Sequence, residues 1–126
     1  MIIAIVGSRK FNNRDLVNQV LTKELSNINT TVITGGAPGV DQWAIEFCRK
    51  DCTPCEIIRP IDAGKKIDYL YRNIEIITKA DKIIVFWDQV SRGSKFVIEY
   101  ASKRSKEMII YHEGDKVKKD GLQSCL

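Results

Sequence analysis

The chain has one histidine, His112, and it lies far from every glycine-rich turn, so composition alone argues against a histidine-based nucleophilic triad. Cysteine is equally uninformative about metals. Cys48, Cys52 and Cys55 lie close together but no second cysteine pair follows, and Cys125 is remote, so no zinc site is expected and no disulfide framework in a reducing compartment. No apolar run approaches the roughly 18 to 20 residues that span a bilayer, and no basic segment with an apolar core precedes the first strand. A cytoplasmic protein with no membrane partner is the expectation. There are no internal repeats and no composition break that would mark a linker.

The 126 residues are 44% apolar and 29% charged, enough to bury roughly two thirds of the unfolded chain's surface in a core without staples. Net charge is +4, with seven Lys and Arg against six Asp and Glu in residues 1–60, and thirteen against ten beyond. That excess suits phosphate-bearing ligands without singling out nucleic acid.

Apolar runs of strand length alternate with helical patterns. Strands are expected at 2–6, 31–34, 55–58, 82–87 and 108–111, and helices at 15–27, 40–51, 67–79 and 94–106. Asn13 is placed to cap the first helix. The third carries Ile67, Leu70, Tyr71, Ile74 and Ile77 on one face, which leaves Arg72 off the stripe. Ser94, Val97, Ile98, Ala101 and Ser105 form the inward stripe of the fourth, and Cys48 sits on the apolar stripe of the second. Residues 113–126 have no period and read as a flexible polar tail after a single Rossmann-like unit at 1–112. Near-continuous apolar strands separated by helices imply an α/β three-layer sandwich around a mostly parallel five-stranded sheet, order 3-2-1-4-5.

Three strands end on small or glycine-rich residues: Gly7-Ser8-Arg9, Gly35-Gly36-Ala37-Pro38-Gly39 and, after Asp88, Ser91-Arg92-Gly93-Ser94. In a parallel sheet these turns share one edge, where backbone N–H groups and helix N-termini can converge on an anion. Gly35, Gly36 and Gly93 are the expected backbone cradle for phosphate. Arg9 can clamp it bidentately, and Ser8 and Ser94 can donate to it. Asp41, in the first turn of the second helix, has two readings: a carboxylate that satisfies free N–H groups of its own chain, or one that accepts from a ligand hydroxyl or holds Arg9. Asp88 could take a hydroxyl. Trp87 reads as edge packing. Lys95, Lys103, Arg104 and Lys106 read as a solvated face, since no aromatic residues interleave them. The proposed ligand set is Gly7, Ser8, Arg9, Gly35, Gly36, Ala37, Asp41, Arg72, Asp88, Ser91, Gly93 and Ser94.

Gly7-Ser8-Arg9 with Phe11, Thr34-Gly35-Gly36-Ala37 through Gly39-Val40-Asp41 with Ala44, Arg72-Asn73, Ala80-Asp81, and Ser91-Arg92-Gly93-Ser94 with Ile98 and Ala101 together resemble the SLOG superfamily. The likeness is strongest to its small YspA-like members and to the Rossmann domain of the DNA-processing protein DprA, over about residues 1–111. The resemblance implies a nucleotide-derived ligand such as an ADP-ribose compound, bound in a sensing role, with Arg72 as a ligand contact. It also implies two alternatives: nucleoside phosphate hydrolysis, as in the Lonely Guy phosphoribohydrolases, and single-stranded DNA binding, as in DprA. The chain departs from the hydrolase turn. Serine replaces threonine at Ser94, the catalytic glutamate position falls on Val97, and Glu99 points away from the sheet, so binding without turnover is favoured. No cofactor is required, although a diphosphate could bring magnesium. A homodimer could form through Tyr69, Ile76, Phe96 or Tyr100, as SLOG relatives often pair through helices.

Overall fold

A computed structural model describes residues 1–27 and 29–115. The parallel sheet runs β3(Cys55–Ile57), β2(Thr31–Thr34), β1(Ile2–Gly7), β4(Lys82–Phe86), β5(Glu107–Tyr111), the order expected. The helices between them are α1(Arg14–Glu24), α2(Val40–Asp51), α3(Lys66–Lys79) and α4(Arg92–Lys103). The architecture is Rossmann-like.

Successive strand residues point to opposite faces, so a strand covered on both sides must be apolar at every position. Ile3, Ile5, Ile84 and Phe86 pack with Leu16, Val17, Val20 and Leu21 of α1 and with Val40, Ala44 and Cys48 of α2. Ala4, Ile83 and Val85 face the other way, onto Ile76 and Ile77 of α3 and Val97 and Ala101 of α4. Each such Ile, Leu or Val contributes roughly 1.5 to 3 kcal/mol through burial. Gly7 is set by packing as well: a Cβ there would stand 2.3 Å from Val40 Cβ.

Three helices differ from expectation. α1 is capped as expected, Asn13 Oδ1 accepting from the Leu16 N–H at 3.2 Å, but it ends at Glu24, where Ser26 turns back to donate to the Lys23 carbonyl. α4 begins two residues early and stops at Lys103. Ser105 lies beyond it with φ of 55°, exposed and off the inward stripe.

The larger correction is to α3. Ile67, Leu70 and Tyr71 are exposed, and the inward face carries Arg72, Ile76 and Ile77 with Tyr69 and Asn73 half-buried beside them. The first half of α3 overhangs the carboxyl ends of the strands. There the partner is a polar turn instead of the sheet, so a polar face turns inward. Ile76 is consequently unavailable for the suggested dimer surface, and Tyr69 faces a cavity. Phe96 and Tyr100 stack on each other with ring centroids 5.7 Å apart.

Glu113 and Asp115 are held to the body, since Glu113 accepts from the Asn12 N–H and from Asn13 Nδ2, and Asp115 accepts from the His112 N–H. The remainder of the expected tail, 116–126, lies outside the described residues. Among the described residues no helix is long and apolar enough to cross a membrane.

Candidate functional site

The carboxyl ends of β1, β2 and β4 open onto a cavity of about 460 Å³, within the range of small-molecule sites. Gly7, Arg9, Gly35, Ala37, Asp41, Arg72, Asp88, Ser91, Gly93 and Ser94 line it, so nearly all the residues nominated from the three turns meet at one rim. Gly36 lines an adjoining chamber of about 200 Å³. Ser8 does neither. Only 1% exposed, it lies behind the wall, its Oγ 3.1 Å from Ser94 Oγ and accepting from the Asp88 N–H at 3.1 Å. It ties the β1 turn to the β4–α4 loop, which corrects its assignment as a ligand donor.

The glycine turn also departs from expectation. Gly36 has φ of +73°, which glycine adopts at low cost, but the anion facing this turn is the chain's own. Asp41 Oδ2 accepts from the Ala37 N–H at 3.1 Å, with the Gly35 backbone also close enough to favour the ionised carboxylate. The carboxylate is 6% exposed, and Oδ1 meets no donor among the described residues. Burial pushes its pKa up to about 6, while the Ala37 N–H, the Arg72 guanidinium and the nearby Thr34 hydroxyl pull the other way and only partly offset the loss of water. The Thr34 hydroxyl itself donates to the Ile5 carbonyl at 2.8 Å.

Arg72, 9% exposed, is fixed from two sides: Nη1 donates to the Gly35 carbonyl at 2.7 Å and Nε to Asn73 Oδ1 at 2.9 Å. A Cβ on Gly35 would stand 2.3 Å from Arg72 Nη1, so this residue must be glycine for the arginine to lie across the turn. Burial lowers the Arg72 pKa, Asp41 and Tyr69 oppose that, and the nearby Arg9 and Arg59 charges add to it. Tyr69 stands between two guanidiniums, Arg72 at 5.2 Å and Arg9 at 6.0 Å from its ring centre.

On the opposite wall Asp88 Oδ1 accepts from the Val90 and Ser91 N–H groups at 2.9 and 2.7 Å, shaping the loop that delivers the amino end of α4 to the cavity. Burial raises the Asp88 pKa, but these donors outweigh it and the net shift is downward. Ser91, Gly93 and Ser94 line the cavity at the start of α4, where free N–H groups and the helix dipole favour negative charge. A Cβ on Gly93 would touch nothing within 4 Å, so packing does not require glycine there. Trp87 donates Nε1–H to the Ser91 carbonyl at 3.1 Å and packs on the core, matching its reading as edge packing. Val97 is buried in the core and Glu99 is exposed, so neither supplies a carboxylate to the cavity.

Sequence reasoning missed Tyr69, Lys10 and Arg59 as wall residues. Tyr69 is three residues before Arg72 and therefore shares its helix face. Arg59 follows β3, whose parallel place beside β2 puts its end next to the glycine turn.

This edge, with its glycine turns in the order β1, β2, β4, belongs to a Rossmann-like α/β fold of sheet order 3-2-1-4-5. The model of the DNA recombination-mediator protein A family matches residues 1–55. DNA processing protein A (DprA) from Streptococcus pneumoniae superposes with a TM-score of 0.77 at 19% identity, covering 96% of this chain and 52% of that one. DNA processing protein A from Helicobacter pylori, whose structure concerns its single-stranded DNA binding mode, gives a TM-score of 0.67 at 19% identity, with 87% and 64% covered. The structural-genomics target TM1055 gives 0.64 at 18% identity, with 85% and 71% covered. The chain spans about half the length of the pneumococcal protein and under two thirds of the Helicobacter one. No curated protein sequence matches it. These comparisons bear out the resemblance to the SLOG superfamily and to its DprA-type members.

Proposed function

We propose that the cavity binds a phosphorylated nucleoside or a nucleotide-derived ligand of the ADP-ribose kind, and that the protein senses this ligand without consuming it. The observation that carries the reading is the pairing of opposite demands in one cavity. Arg9, Arg72 and the amino end of α4 ask for an anion, while the unpartnered Oδ1 of buried Asp41 asks for a hydrogen-bond donor. A phosphorylated sugar carries both. An unpaired buried acceptor costs about 1 to 3 kcal/mol, which a ligand hydroxyl that displaces the atoms covering Oδ1 would recover on binding. Sensing is favoured over hydrolysis because Val97 occupies the position of the superfamily's catalytic glutamate and is buried in the core. The ligand's phosphate supplies the missing charge, so the site needs no cofactor. A diphosphate could carry magnesium in with it.

A thermal-shift screen of the purified protein with mono-, di- and cyclic nucleotides, ADP-ribose and short oligonucleotides tests this, followed by calorimetry on the best compound. Stabilisation by at least one phosphorylated nucleoside, lost in Arg9→Ala, is expected. Release of free base that stops in Asp41→Asn would replace sensing by hydrolysis.

A second reading, single-stranded DNA binding, is favoured by the likeness to the Helicobacter protein. It requires affinity that rises with oligonucleotide length and falls steeply with salt, about 0.7 in log–log slope for each phosphate neutralised.

A further inference from the structure

The chamber of about 200 Å³ beside the main cavity has a composition unlike it. The two share a wall of Arg9, Gly35, Ala37, Tyr69 and Arg72. Beyond that wall the main cavity has two carboxylates, Asp41 and Asp88, whereas the small chamber adds Arg59 and no acidic residue. Three guanidiniums therefore border it. None of the three forms an ion pair among the described residues, although Arg14, Lys79 and Lys82 elsewhere on the surface all do.

Arg59 is placed there by the turn. Its Nη1 donates to the Gly36 carbonyl at 3.2 Å, an oxygen that also accepts from Gln42 Nε2 at 3.1 Å. A Cβ on Gly36 would come within 2.6 Å of Arg59 Nη1 and 2.9 Å of Ile57 Cγ2, so only glycine lets the guanidinium lie over the turn. One nitrogen is anchored, and the remaining N–H donors of the fork are left for a second partner. Three like charges gathered around an acid-free chamber are stable together when an anion joins them.

We propose that this chamber is a second anion subsite, built by Arg59 with Arg9 and Arg72. The ligand then belongs to the nucleoside diphosphate class, with its sugar against Asp41 and its outer phosphate beyond the Arg9–Tyr69–Arg72 wall. This rests on the nucleotide reading of the main cavity.

Calorimetric titrations of the full chain with AMP, ADP and ADP-ribose, repeated on Arg59→Ala, test it. Arg59 is exposed, so the variant should fold, and circular dichroism checks that. The wild type should bind ADP at least about tenfold more tightly than AMP, the range for hydrogen bonds to a charged group. Arg59→Ala should erase that gain and leave AMP binding within about twofold, and Arg59→Lys should restore part of it. AMP binding with no gain for ADP or ADP-ribose overturns the subsite and leaves the main-cavity reading intact. So does an equal loss of AMP and ADP in Arg59→Ala. If none of the three compounds binds, both readings fall. An Arg59-dependent gain confined to oligonucleotides would assign the chamber to a strand and overturn the proposal.

Discussion

Asp41→Asn should make stability less dependent on pH, because the wild-type fold carries an ionised carboxylate that has lost most of its water. In the unfolded chain Asp41 titrates near 3.8, and in the fold its pKa is raised to about 6. A raised carboxylate pKa means the fold binds the proton more tightly than the unfolded chain does. Stability associated with this group is therefore fully present below about pH 3.8 and is lost as pH rises through about 6. At about 1.4 kcal/mol per unit, the wild type should lose about 2 to 3 kcal/mol relative to Asp41→Asn between pH 4 and pH 7.5. The asparagine keeps an acceptor for the Ala37 N–H. It places its amide where Oδ1 stands, at a cost that does not vary with pH. Urea unfolding of both proteins at pH 4, 5.5 and 7.5 measures the difference. A constant gap between the two curves across this range would show that Asp41 is not desolvated and would remove the argument for its unpartnered oxygen. The same variant should bind AMP at least about tenfold more weakly at pH 7.5, since a carboxylate of the cavity wall is gone. Weaker binding together with the flattened pH dependence would distinguish a ligand residue from a packing residue.

Arg9→Ala should weaken AMP binding by about 1.5 to 3 kcal/mol in calorimetry while leaving the melting temperature of the free protein unchanged, because Arg9 is exposed. Gly36→Val must adopt a φ of +73° and intrude on Arg59 and Ile57, so it should cost about 1 to 3 kcal/mol in urea unfolding and also abolish the ADP preference. Retention of normal stability and ADP preference would refute the placement of Arg59 over the turn. Gly35→Ala should expel Arg72 from its bond to the Gly35 carbonyl, and AMP affinity should fall as it does in Arg72→Ala; additive losses in the double variant would contradict this shared cause. If single-stranded DNA is the ligand, oligonucleotide affinity should drop steeply between 50 and 200 mM salt, and a flat response would exclude that reading.

Features governed by local pattern are legible in the amino-acid sequence. Strands buried on both faces are apolar throughout, helices repeat every three to four residues, and glycine marks turns, so the element order and the 3-2-1-4-5 sheet follow from the chain itself. Given that order, the meeting of Arg9, Gly35 and Gly93 at one edge follows too, because parallel strands all end on the same side.

What depends on which neighbour an element meets was decided only in three dimensions. The apolar stripe of α3 indicated one buried face, yet the helix overhangs the strand ends and turns Arg72 toward the Gly35 carbonyl, leaving Ile67 and Tyr71 in solvent. Ser8 was chemically suited to a ligand and was instead claimed by Ser94 and the Asp88 N–H. Asp41 occupies the turn that was expected to face phosphate, and Arg59 reaches the same turn from β3, 23 positions along the chain from Gly36. Hydrogen-bond partners and burial are pairwise properties of distant residues, and periodicity in a single chain carries no record of them.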